Sequence, residues 1–263
     1  MAAITAKQNF MEASLDKLAR KLNQDLVKME KMTGEKEDFQ PLVERMVASI
    51  IVRLHENLTE SFPNSAISFQ NTTEYTPESH DGSKFIVIPL GGLKHINHSH
   101  EDAFIAMAYV DYKGNVNDAV IYNPFTDDRF FASYNNGAFS QAARLRSSNR
   151  KASCDYVMYS NKKLADEKEF NKVAELICQE VMNNNALRVT DASLLDLMLV
   201  VGGKKDAFIA TGLTPQEALI ARLFAQESGS TATDFKSKEL TASTTSIIVA
   251  NSKLHAKVLQ KLK

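Results

Sequence analysis

The sequence predicts a protein in two parts, an α+β half followed by an α/β half. Two long segments with helical spacing of apolar residues open the chain. Short β-type segments separated by turn signals follow as far as about residue 150. Beyond that point predicted strands alternate with predicted helices, which is typical of an α/β arrangement. We therefore expect one domain at residues 1–150, with a large and mostly antiparallel sheet, and a second at 151–263.

The elements of the first half follow from spacing and turn residues. A helix is predicted over 10–32, where leucines recur every three or four residues until Thr33-Gly34 ends it. A second helix is predicted over 42–60, and Pro63-Asn64-Ser65 ends it. The predicted strands of this half are 66–69, 85–88, 104–109, 119–122 and 129–133.

The second half alternates between the two kinds of element. Its predicted strands are 156–160, 187–189, 206–210 and 246–249. Its predicted helices are 166–182, 193–201, 215–228 and a final helix at the C-terminus.

Composition excludes several classes of function. The 263 residues carry 31 Lys and Arg against 32 Asp and Glu, so no overall field attracts nucleic acid or an anionic membrane. Neither a signal peptide nor an apolar stretch of about 18 residues is recognisable, so we expect a cytoplasmic protein without a membrane span. Cys154 and Cys178 lie far apart and outside any CxxC pair, which argues against a disulfide scaffold or a thiolate zinc site.

Three local features allow both a functional and an ordinary interpretation. His95, His98 and His100, with Glu101 beside them, could hold zinc or nickel, or could be polar loop residues. The pair Gly91-Gly92 follows a strand, as phosphate-binding loops do, but a plain turn has the same residues. Glu217 follows Pro215 at the start of a helix, where the helix dipole favours an acid whether or not it is catalytic. Motifs of P-loop proteins, α/β-hydrolases and zincins are absent from the sequence.

Several longer segments resemble the inositol monophosphatase family, and its SuhB-like branch most in layout. They are FIVIPLGGLKHINHSHEDAFIAMAYV at 85–110, IYNPFTDDRFFASYNNGAFSQAARLRSS at 121–148, DAFIATGLTPQEALIARLFAQESGSTATDF at 206–235 and IIVAN at 247–251. The resemblance implies a layered αβαβα sandwich, assembled as a homodimer. It also implies an ancestral Mg²⁺-dependent phosphomonoesterase, in which carboxylates hold the metal ions that polarise the phosphate.

The family positions that carry this chemistry are mostly substituted here. The family's Glu-Glu pair after the first strand falls on Phe69-Gln70. Its two metal-binding aspartates, in the pattern D-P-[IL]-D-G-T, fall on Ile88 and Gly91, and the threonine that orients water falls on Leu93. The aspartate of the family's Trp-Asp pair is Glu217.

What the resemblance leaves is a partial set of ligands. Gly92, Leu93 and Lys94 match the phosphate loop, and Glu217 with the Leu90 carbonyl matches residual metal ligands. Mg²⁺ needs several hard oxygen ligands in near-octahedral geometry. The family therefore implies Mg²⁺, but we do not expect this chain to bind it.

These observations lead to two hypotheses of function. The first is a catalytically inactive pseudophosphatase with a binding or regulatory role, whose partner is a protein or part of the transcription machinery. Charge gives no support to nucleic acid as that partner. The alternative is an active Mg²⁺-dependent inositol-1-phosphate phosphatase whose metal site has been rebuilt, with the group His95, His98, His100 and Glu101 as candidate new ligands.

Overall fold

The computed structural model describes residues 5–30, 36–70, 74–92, 102–141, 143–151 and 155–262. They form two compact units, the first ending at Ser133 and the second beginning at Tyr134. The sequence places the end of the α+β half later, at residue 150, and that domain boundary stays a prediction. Each unit is described by itself below.

The first unit consists of two long helices and a sheet. Its helices are α1 (Ala6–Glu30) and α2 (Lys36–Ser61). Its strands are β1 (Ala66–Phe69), β2 (Lys84–Gly91), β3 (Phe104–Val110), β4 (Val116–Tyr122) and β5 (Arg129–Ser133). The strands lie side by side in that order. The sheet is antiparallel except that β1 pairs with β2 in parallel, so it is mostly antiparallel, as predicted.

Apolar residues on one face of each helix explain why the helices pack on this sheet. Leu15 and Leu18 of α1, and Ile50 and Leu54 of α2, are buried in one cluster with sheet residues such as Phe85. The spacing of three or four residues brings them to a single stripe along each helix. The predicted helices are therefore confirmed.

The second helix begins earlier than predicted. It starts at Lys36, six residues before the predicted start, and includes Pro41 in its second turn. A proline there removes one backbone hydrogen bond, while its fixed φ is compatible with a helix. The expectation that the helix would begin after Pro41 is therefore wrong.

The second unit is an α/β arrangement. Its strands are β6 (Gly137–Ser140), β7 (Tyr156–Ser160), β8 (Leu187–Val189), β9 (Ala207–Thr211), β10 (Thr231–Thr233) and β11 (Ser246–Ala250). Its helices are α3 (Glu167–Met182), α4 (Ser193–Val201), α5 (Pro215–Glu227) and α6 (His255–Gln260). Five strands form a sheet in the order β10-β11-β9-β7-β8, in which β7 is parallel to both β8 and β9.

The central strands of this second sheet are buried along their length. All five residues of β9 and of β11 are buried, which is why they appear in the sequence as continuous apolar runs. The short strands β6 and β10 were not predicted, because β6 begins with a glycine and β10 consists of Thr, Ala and Thr, so neither has a run of large apolar residues. None of the described helices is long and apolar enough to cross a bilayer.

Candidate functional site

Ile88 lies in β2, the second strand of the first unit's sheet, and the sequence resemblance assigns it to the family's first aspartate. Its strand β2 is hydrogen-bonded on both sides, to β1 in parallel and to β3 in antiparallel register. Ile88 pairs with Ala106 and has no solvent-exposed surface. The side chain at this position therefore contributes to the core and offers no ligand atom.

Gly91, which the sequence resemblance assigns to the second family aspartate, has no space for a side chain. The register between β2 and β3 shifts between Ile88 and Gly91, which then pairs with Phe104. A Cβ atom added at Gly91 would lie 2.3 Å from Cζ of the Phe104 ring. Because real Cβ contacts this short do not occur, the aromatic ring occupies the volume that an aspartate would need.

Gly92 is required by a close approach of two backbone segments. Its φ is +75°, and an added Cβ would lie 2.3 Å from the carbonyl oxygen of Asp102. Both facts favour glycine whether or not an anion binds there. The other two residues of the predicted phosphate loop, Leu93 and Lys94, lie outside the described residues, as does the group His95, His98, His100 and Glu101.

The remaining candidates of the first unit lie close to β1 and β2. Phe69 ends β1 as a buried residue, and the N–H of the half-buried Gln70 donates to the Val87 carbonyl at 2.8 Å. Leu90 is buried in the same apolar cluster as the helices. Neither side chain at 69 and 70 carries the negative charge that the family's Glu-Glu pair would supply.

Glu217 is the one acid among the residues that the sequence resemblance assigned to the family's catalytic positions, and it caps the N-terminus of helix α5. Thr214 is the N-cap, and its backbone N–H and its hydroxyl both donate to Oε2 of Glu217 at 2.8 Å. In return the Glu217 N–H donates to Oγ1 of Thr214 at 3.3 Å, which completes a capping box. The other carboxylate oxygen, Oε1, accepts a hydrogen bond from the buried hydroxyl of Ser193 at the start of α4.

Burial sets the electrostatics of this carboxyl. Desolvation raises the pKa of Glu217, although the hydrogen bonds from Ser193 and Thr214 act in the opposite direction. Burial likewise raises the pKa of the Tyr159 hydroxyl, and the negative charges of Glu217 and Asp191 add to that effect. The region around Glu217 therefore disfavours additional negative charge.

The residues at the family's metal positions do not fit Mg²⁺. Such an ion takes hard and mostly anionic oxygen ligands. Position 88 is apolar, position 91 has no side chain, and both carboxylate oxygens of Glu217 already accept hydrogen bonds. Among the residues that the structure describes, no group of three or more His, Cys, Asp or Glu side chains lies close enough to hold a metal ion.

Sequence reasoning missed the partners of Glu217. The signal for the capping box was present as Thr-x-x-Glu at 214–217, directly before a helix. The contact with Ser193 had no such signal, because Ser193 and Glu217 lie in different helices and are 24 residues apart in sequence. The interaction of Tyr159 with Glu217 also had no signal in the sequence, because it depends on the fold that brings β7 near α5.

Comparisons with known proteins bear on the whole chain. The sequence profile of the inositol monophosphatase family matches residues 2–263. A candidate Nus factor SuhB of Neisseria meningitidis serogroup B is 27% identical over 223 residues, covering 85% of this chain and 84% of that protein. The Nus factor SuhB of Escherichia coli K12 is 24% identical over 231 residues, covering 86% and 83%.

Solved structures show the same fold. The extragenic suppressor protein SuhB from Bartonella henselae superposes with a TM-score of 0.81 at 22% identity, covering 98% of this chain and 99% of that one. An IMPase/NADP phosphatase complexed with Mg²⁺ and phosphate superposes with a TM-score of 0.67 at 20% identity, covering 82% and 80%. The predicted layered αβαβα type of fold is confirmed by these likenesses.

Proposed function

This chain belongs to the inositol monophosphatase family, and on that premise we propose that it is a pseudophosphatase, a non-catalytic member with a binding or regulatory role. The observation that supports this most directly is at the two aspartate positions. Ile88 is fully buried in the core, and the ring of Phe104 fills the space next to Gly91. A metal ligand is therefore missing at both positions and has been replaced by apolar packing.

The chemistry of the family explains why this loss matters. Bound Mg²⁺ supplies charge that stabilises a phosphoryl group and activates water, an effect of several kcal/mol in the transition state. One carboxylate cannot replace the family's set of metal ligands. In addition, the two oxygens of Glu217 already accept hydrogen bonds from Ser193 and from the N-cap Thr214. The residues of this chain thus support a retained fold without the ancestral reaction.

For the binding role we propose a protein partner from the transcription machinery. Two relatives that cover most of the chain are named as a Nus factor and a candidate Nus factor. The net charge of −1 gives no general attraction to nucleic acid, so a protein component fits better than RNA alone. We also propose a homodimer, as the family resemblance implies.

Catalysis is tested by phosphate release from inositol 1-phosphate at millimolar Mg²⁺, with an active phosphatase of the family assayed beside this protein. We expect no Mg²⁺-dependent turnover above the uncatalysed rate. Metal-dependent hydrolysis at rates like those of the active relative would overturn the proposal. In that event His98→Ala would show whether the histidine group has become a new metal site, because removal of a metal-binding imidazole would abolish the activity.

The binding role is tested with purified components. The tagged chain is incubated with RNA polymerase and, separately, with the Nus proteins of its source cell, and co-elution is measured by size-exclusion chromatography. We expect a stable complex with one of them, and none with any would contradict the proposed partner. Light scattering on the chain alone tests the homodimer, since a mass near 29.2 kDa would mean a monomer.

A further inference from the structure

A polar crevice in the second unit is lined by two exposed arginines, Arg144 and Arg146, and by one acid, Glu227. It has a volume of about 570 Å³, which lies within the usual range for small-molecule sites. Its walls are the turn at Asn135, the segment 144–147 and the end of helix α5 with the residues that follow, Gln226 to Gly229. None of these residues belongs to the family positions discussed above, so the crevice is independent of the proposed function.

The local backbone places both arginines on the same side. Arg144 forms a β-bridge with Phe139, and the Leu145 N–H donates to the Ala138 carbonyl at 2.8 Å, so the segment is extended. Alternation along an extended chain turns Leu145 inward, where it is buried, and leaves Arg144 and Arg146 exposed. Their Cα atoms are about 6.6 Å apart by the usual strand rise.

Glu227 is the one acid that lines the crevice, so its single negative charge offsets no more than one of the two arginines. Both oxygens of Glu227 accept backbone hydrogen bonds, from the N–H of Asn135 at 2.9 Å and from that of Gly137 at 2.8 Å. In the part of the chain that the structure describes, neither Arg144 nor Arg146 forms an ion pair. The guanidinium of Arg144 instead packs over the Phe139 ring, 5.8 Å from its centroid.

We propose that this crevice binds a small molecule that carries two linked phosphate groups, such as a nucleoside diphosphate. A guanidinium matches the oxygens of a phosphate with paired N–H donors, and two long arginine side chains on the same side of one extended segment can each hold one phosphate of a pair. The volume exceeds what a single anion needs and leaves room for a polar body beside the amides of Asn135 and Gln226. The negative end of α5 opposes anions here, so both arginines are needed together.

The test is isothermal titration calorimetry of the full chain with inorganic pyrophosphate and with ADP, at low ionic strength and with EDTA present. EDTA removes any contribution from divalent metals, so the result is separate from the phosphatase question. We expect saturable binding of at least one probe and at least about tenfold weaker binding in both Arg144→Gln and Arg146→Gln. Arg45→Gln, an exposed arginine of α2 in the other unit, is the matched control and should bind as the unchanged chain does.

A second kind of variant narrows the crevice without changing its charge, and so tests whether the probe binds inside it. An added Cβ at Gly229 meets nothing within 4 Å, so Gly229→Asn places a side chain in open space at the wall while both arginines remain. Asparagine tolerates the φ of +75° at this position. We expect this variant to weaken binding as well. No saturable binding of either probe, or binding that Arg144→Gln and Arg146→Gln leave unchanged, would overturn the proposal.

Discussion

Replacing Glu217 distinguishes a helix cap from a catalytic acid. In Glu217→Ala the carboxylate loses three accepted hydrogen bonds, from the Thr214 N–H, the Thr214 hydroxyl and the Ser193 hydroxyl. At about 1–1.5 kcal/mol for each bond, the free energy of unfolding should fall by roughly 3–4.5 kcal/mol. The donors left behind are buried, which places the loss toward the upper end of that range.

The matched variant Glu217→Gln should cost much less. Its amide oxygen can accept both bonds from Thr214, while its NH₂ group donates to the Ser193 hydroxyl, which then acts as acceptor. All three contacts persist, so we expect a loss below about 1 kcal/mol. Urea unfolding followed by circular dichroism measures both variants against the unchanged chain.

Equal losses in the two variants, or no loss in Glu217→Ala, would refute the capping role. The same experiment repeated with Mg²⁺ tests the metal directly. An ion bound to the native state at a hundred times its Kd would raise the free energy of unfolding by about 2.7 kcal/mol. We expect no such increase, and an increase that disappears in Glu217→Gln would place that residue in a metal site.

Three further predictions concern the substituted positions and the buried carboxyl. Ile88→Asp should lower the free energy of unfolding by roughly 3–8 kcal/mol, since it removes a buried apolar side chain and buries a polar one. The control Ile88→Val should lower it by only about 1 kcal/mol in the same urea assay. Gly91→Ala should lower the free energy of unfolding by about 1–3 kcal/mol, because the added Cβ meets the Phe104 ring. Phe104→Leu removes the contacting ring atoms, so the double variant should lose less than the sum of the two single losses. Strictly additive losses would contradict this. Burial raises the pKa of Glu217 above 4.5, so the stability that its protonated form contributes is complete below about pH 4.5 and is lost as pH rises through the folded pKa. Over that rise the unchanged chain should lose stability relative to Glu217→Gln. Parallel pH profiles of the two proteins would contradict this.

The fold was predictable from sequence because its signals are long or repeated. The helix α3, for example, begins where predicted, with Asp166 as an N-cap that accepts from the N–H groups of Lys168 and Glu169. The short strands β6 and β10 lack such signals. Side-chain contacts between distant segments, such as Ser193 with Glu217, depend on tertiary packing that no local pattern encodes.

The candidate site was predictable as a set of positions and not as a set of contacts. The sequence indicated that the chemistry at 88 and 91 had changed, because an apolar residue and a glycine cannot act as carboxylate ligands. It could not indicate that Phe104 fills the space beside Gly91, since the ring reaches that space through the register of β2 with β3. The resemblance to the family predicts where the site lies, whereas packing determines what the residues there can do.

The persistence of an acid at position 217 has a structural explanation that needs no catalysis. Its carboxylate accepts three buried hydrogen bonds and joins the starts of α4 and α5, so its removal would leave polar groups without partners in the interior. Ile88 and Gly91 face the opposite situation, because an aspartate at either position would be buried in an apolar environment or would collide with an aromatic ring. Reintroducing one aspartate alone would therefore destabilise the fold before it could bind a metal ion. Aspartates at both positions could be accommodated only if Ile88, Gly91 and Phe104 were changed together, and the stability measurements on these three positions test that reasoning.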